Sequence, residues 1–232
     1  MEKEAFALLE RIEDSWWYRG REKMIRSALT RASARGTSAL DFGAGYGGMQ
    51  HALSAYFPRV SAFEPESSAR TSLASRGYVK LYASQEEAFA NTFDCIGAFD
   101  VVEHIEDDRA FLKAAYGALV PGGILAITVP AFPFLWSAHD VNHHHFRRYR
   151  RGDIRKLLKE CGYTVEYASY WNFALFVPTA TLRLLGKTGA SGLALPRVLD
   201  SLFFAVVYAE SLIARLIPLP WGTGLVVIAR KQ

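Results

Sequence analysis

The stretch Ala39-Leu40-Asp41-Phe42-Gly43-Ala44-Gly45-Tyr46-Gly47-Gly48 decides the fold. A short apolar run ends in a glycine-rich turn, and Met49 to Phe57 then continues without glycine as a helix. Strand, glycine turn and helix in this order form a nucleotide-binding arrangement, because glycines let the turn tighten and let a ligand lie against the backbone. Gly43 to Gly48 satisfies both GxGxxG and GxGxG, so the bare pattern suits a dinucleotide and other adenosine ligands alike. Two carboxylates narrow the choice. Asp41 stands two residues before the first glycine, where a dinucleotide fold keeps an apolar side chain, and a carboxylate there suits a ligand with an ammonium or sulfonium group. Glu64 ends a second strand, Arg59 to Phe63, 23 residues after Asp41. It is placed to accept bonds from both ribose hydroxyls of an adenosine.

Outward from this loop the chain alternates. Ser67 to Arg76 is expected to be helical, Val79 to Tyr82 and Asp94 to Phe99 to be strands, Asp107 to Leu119 a helix and Ile124 to Val129 a fully apolar strand. Such alternation means βαβ units and a mostly parallel sheet. After Pro130 an aromatic, His- and Arg-rich loop runs to residue 152, followed by a helix from Asp153 to Cys161 and alternating strands at Thr164 to Tyr170 and Leu225 to Ala229. Residues 2 to about 34 read as two helices separated by an aromatic-basic knot, Trp16-Trp17-Tyr18-Arg19-Gly20-Arg21.

Asp41-Phe-Gly-Ala-Gly-Tyr-Gly47, Glu64, Asp100-Val-Val-Glu-His-Ile105 and Leu119-Val-Pro-Gly-Gly-Ile124 resemble, in this order and spacing, the class I S-adenosylmethionine-dependent methyltransferases. The resemblance runs from about Leu40 to Tyr170 and resumes at Leu225 to Arg230. It implies a Rossmann-like α/β fold: a seven-stranded, mostly parallel sheet whose last strand is antiparallel, helices on both faces, an N-terminal helical cap (1–36), a core (37–171), an apolar helical insertion (172–222) and a final strand (223–232). It implies S-adenosyl-L-methionine as cofactor, held by Asp41, Gly43, Ala44, Gly45 and Gly47 of the loop, by Glu64 and Pro65, by Phe99 at the end of the fourth strand, and by Arg21, placed to pair the cofactor's carboxylate. Many members end the third strand in an aspartate facing adenine. Here Ala83-Ser84-Gln85 stands instead, so Ser84 or Gln85 takes that role.

A sulfonium methyl is already activated, so in-line transfer needs chiefly alignment, with a general base if the acceptor is a hydroxyl. His104, past the fourth strand, and His139, beside Asp140 in the loop after the fifth, are the two base candidates. His143-His144-His145 cannot all aim at one ion from regular backbone, and no neighbouring acidic or cysteine cluster completes a ligand set, so no metal is expected. With Phe146-Arg-Arg-Tyr-Arg-Arg151 the tract reads as a cationic-aromatic loop suited to an anionic acceptor group.

The 232 residues suffice for one elaborated domain. A net charge of +4 with a pI near 9.1 does not call for nucleic acid as a partner. Cys95 and Cys161 form no CxxC pair, and the N-terminus lacks an apolar leader, so a reduced, cytoplasmic compartment is expected. The insertion is apolar, yet its runs fall short of a membrane span. Its helix from Arg197 to Ile217 is expected to carry a narrow polar stripe, Asp200, Ser211 and Arg215. The apolar remainder is covered by the core, by a homodimer partner, or by a membrane's inner face met through Arg183, Lys187 and Arg197. Three functions stay open at this level: a methyltransferase acting on a small-molecule or lipid-linked acceptor, an NAD(P)-dependent oxidoreductase, and a non-catalytic partner subunit retaining the fold.

Overall fold

The computed structural model describes residues 14–185 and 195–232. Seven strands form one sheet in the order β3-β2-β1-β4-β5-β7-β6. These are β1 (Ser38–Phe42), β2 (Arg59–Phe63), β3 (Leu81–Tyr82), β4 (Phe93–Phe99), β5 (Leu119–Pro130), β6 (Tyr163–Trp171) and β7 (Gly224–Lys231). The first five run parallel, and β7 is antiparallel to both β5 and β6. β1, β4 and β5 are buried on both faces, as continuous apolar strands of a covered parallel sheet must be. The carboxyl ends of β1, β2, β4 and β5 therefore open on one edge, where ligands of doubly wound sheets lie.

One face of the sheet is covered by α5 (Asp108–Gly117) and α7 (Arg151–Glu160), the other by α1 (Trp16–Arg31) and α2 (Gln50–Ser54). The strand expectations hold to within a few residues, and β6 and β7 pair along their length. The N-terminal expectation is corrected. Trp16 to Arg21 is no break between two helices but the first turns of α1, continuing the buried stripe Met24, Ile25, Ala28 and Leu29. The earlier stretch with Phe6, Leu9 and Ile12 lies outside the described residues. The helix expected over Ser67 to Arg76 is present but shorter, α3 (Ser67–Leu73), and two short helices were not anticipated: α4 (Gln85–Phe89), in a stretch given no element, and α6 (Ala138–Asn142), in a stretch read as loop. Ser84 caps α4, accepting from Glu87 N at 3.2 Å, and Ser137 with Asp140 forms a capping box on α6.

The insertion carries α8 (Phe176–Leu184) and α9 (Arg197–Leu216). α9 packs along α1, and Gly20 makes the approach possible, since a Cβ there would stand 2.6 Å from Val207 Cγ1. Of the expected polar stripe, Asp200 and Ser211 point inward, whereas Arg215 is exposed. Asp200 accepts from Trp16 N at 2.7 Å and pairs with Arg19, Ser211 is buried, and Glu210 accepts from Phe173 N at 2.9 Å and Ala174 N at 2.6 Å. Val207 and Ala214 fill the seam between them. The outward face is apolar: Val198 is 80% exposed, Leu202 54%, Leu212 49% and Leu216 74%. α9 is thus amphipathic in the reverse of the usual sense. Among the described residues no helix is long and apolar enough to cross a membrane.

Glu210 holds the turn that leaves β6, so its removal strands a part-buried backbone donor. Glu210→Ala is expected to lower unfolding free energy by about 1–3 kcal/mol in urea titrations, with unchanged helix content by circular dichroism.

Candidate active site

The glycine loop leaves β1 and turns back under β2. Gly43 N and Ala44 N both donate to Phe63 O, at 2.9 and 3.1 Å, so the loop is pinned to the end of β2. Gly43, Gly45 and Gly47 take φ of +72°, +54° and +94°, where side chains with a Cβ are strained. A Cβ on Gly43 would stand 2.7 Å from Val101 Cγ2, whereas one on Gly45 would meet nothing within 4 Å. Gly45 therefore faces an open cradle, and any clash from a larger residue there would be with a ligand rather than with the protein. Glu64 is 8% exposed and accepts from Gly45 N at 2.8 Å through Oε2 and from Glu66 N at 3.0 Å through Oε1. Each oxygen keeps a lone pair for a ligand hydroxyl. Pro65 is exposed beside it, its carbonyl accepting from Arg70 Nη1 at 2.6 Å.

Asp41 is buried and accepts from the Tyr78 hydroxyl at 2.6 Å. Burial pushes its carboxyl up to about 6 against the lowering effects of that bond and of Arg21. Arg21, from α1, lies 6% exposed between the rings of Trp17 and Tyr18 and pairs with Asp100, which also accepts from Thr128 Oγ1 at 3.0 Å. Its Nε is buried without a partner. One arm of the guanidinium is thus committed to Asp100. Phe99 is buried against the α1 side of the sheet. The Ser84 hydroxyl is committed to the α4 cap, and Gln85 opens that helix, so of this pair only Gln85 keeps a side chain not taken up by the cap.

The histidines gather. His104 ends the single turn Val102–His104 after β4, and its ring meets that of His145 edge-on at 4.6 Å. His139, on α6, lies 4.2 Å from His143 and 6.1 Å from His145 between ring centroids. Burial, then His143 and Arg183, press His139 down to about 4, and burial with His145 lowers His104. Both shifts favour the neutral ring. The group is anchored by Asp140, fully buried, which accepts from Ser137 N at 2.9 Å, His145 Nδ1 at 2.9 Å and Arg148 Nε at 2.8 Å. Burial pushes that carboxyl up, but the bonds from His145 and Arg148 outweigh it and hold it well below the usual carboxylate range.

The reading of the basic tract as an anion-binding loop is corrected. Arg147 pairs with Asp108 at 2.7 Å, Arg148 with Asp140, and Arg151 donates to Leu219 O at 3.3 Å, so these cations are internal anchors. Sequence reasoning missed Glu103 and His145. Glu103 is 1% exposed beside His104, and the only signal for His145 was the tract it sits in.

The family model of the methyltransferase domain matches residues 16–168. The chain belongs to that family. It is accordingly an S-adenosylmethionine-dependent methyltransferase, and the dehydrogenase alternative falls away. Among solved structures, the N-methyltransferase NodS of Bradyrhizobium japonicum, in complex with S-adenosyl-L-homocysteine, is similar at 16% identity, covering 95% of this chain and 90% of that one with a TM-score of 0.61. A candidate sarcosine dimethylglycine methyltransferase of Galdieria sulphuraria is similar at 18% identity, 91% and 85% coverage and a TM-score of 0.59. A third, at 15% identity, 99% and 95% coverage and a TM-score of 0.61, comes from the complex between the Haloferax volcanii Trm112 methyltransferase activator and its candidate methyltransferase. No curated protein sequence matches.

The two glycines at the head of the loop separate fold from ligand. Without ligand, Gly43→Ala is expected to cost about 2–4 kcal/mol, strain plus overpacking against Val101, and Gly45→Ala only about 1–2 kcal/mol from strain alone. Urea denaturation of both variants checks the order.

Proposed function

We propose that this methyltransferase acts on a lipid-linked or strongly apolar small-molecule acceptor at a membrane surface. S-adenosylmethionine, when bound, supplies a methyl group already activated on sulfonium. Gly43, Ala44 and Gly45 would lie against it, Glu64 would accept from its ribose hydroxyls, and the buried Nε of Arg21 is placed for an acceptor such as its carboxylate. Asp41 and Gly47 would support the loop from beneath, with Pro65, Gln85 and Phe99 along the edges. For a hydroxyl acceptor, the proton released as the new carbon–oxygen bond forms would pass to His104 or His139, both shifted toward the neutral ring and on the far side of the crevice.

One observation carries the acceptor assignment, the reversed amphipathicity of α9. Asp200, Glu210 and Ser211 are bonded inward, while Val198, Leu202, Leu212 and Leu216 face outward, joined by Val177 and Leu185 around α8. The start of α9 is tied through Asp200 to Trp16 and Arg19, the same turns of α1 that carry Arg21 into the crevice. An apolar surface of this kind suits the headgroup–acyl boundary, with exposed Arg197 and Arg215 toward anionic headgroups. Arg183, expected in that role, instead reaches Ser137 at 3.2 Å and Asp140 at 3.5 Å, and Lys187 lies outside the described residues.

Flotation with anionic liposomes tests the surface. The protein is expected to float at low salt and, through its apolar face, in part at high salt, and Leu202→Glu with Leu212→Glu should abolish flotation. A wild-type protein that stays in solution at both salts, as a dimer, would assign the face to self-association. At the cofactor side, calorimetric titration with S-adenosylhomocysteine should show Glu64→Ala weakening binding by about 1.5–3 kcal/mol. A loss of a few tenths would reduce Glu64 to a loop anchor.

A further inference from the structure

We infer that Glu103, His104 and His145 form a binding site for a divalent transition-metal ion. Each offers one ligand atom, and the three atoms lie within 4.8 Å of one another. Ligands about 2.1 Å from a shared ion lie roughly 3–3.5 Å apart, so the widest pair needs to close by at most about 1.3–1.8 Å, within side-chain reach. The residues come from two segments forty positions apart, brought together because Phe146 N donates to Glu103 O at 2.8 Å. That bond lays the histidine tract along the turn after β4.

Two independent features point to an ion. Glu103 is 1% exposed, and its Oε2 is buried with no partner, an arrangement that costs free energy unless a cation or donor fills it. Asp100 adds like charge from the neighbouring turn, which Arg21 and Arg148 each offset only in part. The second is the hydrogen bond that His145 Nδ1 donates to Asp140 Oδ1, 2.9 Å long, which leaves Nε2 with the lone pair. A carboxylate that orients a histidine through its other nitrogen is the usual support of a metal ligand. Asp140 is itself fixed by Arg148 and Ser137, so the ring is held in place from behind.

Two imidazoles and one carboxylate, with further coordination positions open, suit Zn²⁺, Co²⁺, Mn²⁺ or Fe²⁺ rather than Ca²⁺ or Mg²⁺. The catalytic use of the ion rests on the reading above. Coordinated there, an acceptor hydroxyl would lose its proton more readily, with His139 beside it to receive that proton. Binding of the ion does not rest on that reading.

The test uses the full chain, freed of any histidine tag and stripped with chelator. Titration with Co²⁺ should give one visible d–d absorption per chain, displaced by Zn²⁺. Glu103→Gln and His145→Ala should each weaken Co²⁺ binding by more than the 10–100-fold typical of losing a merely supporting group. His139→Ala, outside the triad, should keep the band, and circular dichroism of each variant reports folding. No saturable band in the wild type, or a band that survives in Glu103→Gln and His145→Ala but disappears in His139→Ala, would overturn the site. A parallel titration with S-adenosylhomocysteine in the presence of chelator keeps the two readings apart. Loss of cofactor binding there would strike at the methyltransferase reading and leave the ion untouched.

Discussion

A single buried carboxylate, Asp140, holds together the histidine cluster beyond the fifth strand. A lone carboxylate deep in protein would take up a proton or unfold its surroundings, because nothing replaces its water. Here Arg148 meets it from the following segment, Ser137 from its own helix cap, His145 from the tract and Arg183 from the insertion at 3.5 Å. These groups start from four places in the chain. Ionised Asp140 is what makes them one structure, and the histidine rings take their spacing from it. Arg183 also ties the apolar insertion to this centre, so the insertion and the histidine cluster share one electrostatic anchor.

The cofactor side is organised by a second, weaker logic of backbone donors. β2 offers the Phe63 carbonyl and the Glu64 carboxylate to a loop that cannot hold its own shape, and α1 closes the crevice through Arg21 and Asp100. Asp100 takes a φ of +56°, a strained conformation for a residue with a Cβ, held by Thr128 from β5 and Arg21 from α1. Strain of this kind persists only where several elements over-determine it. It marks the end of β4 as the point where the two halves of the site meet.

Much of this was legible in the residues. The glycine loop, Glu64 and the apolar strands follow from patterns of near neighbours, and a mostly parallel sheet follows from their alternation. What escaped was set by contacts between distant segments. Trp16 to Arg21 looked like a break because three aromatic rings and a glycine form helix poorly by themselves. The packing of α9 on Gly20 supplies what propensity does not. The basic tract looked solvated because its counter-charges, Asp108 and Asp140, are supplied by α5 and α6. The histidine tract argued against a shared ligand when read alone, and its companion Glu103 sits beside His104 in a stretch whose sequence spoke only of the turn. Helix α9 was the subtlest case. The wheel showed a polar stripe, but no sequence feature says which side of a stripe is wet.

The way the insertion joins the sheet has a further consequence. It leaves at Trp171 and returns at Gly224, residues that face each other in the β6–β7 ladder, and its neck is fastened by the Tyr170–Leu219 bridge and by Asn172 Nδ2 donating to Thr223 Oγ1 at 2.8 Å. The ladder would close equally well over a short turn. The stretch between is therefore a cassette on a frame that closes without it. Lineages could exchange it for another recognition element without rebuilding the catalytic frame, provided that the groove beside Gly20 were refilled.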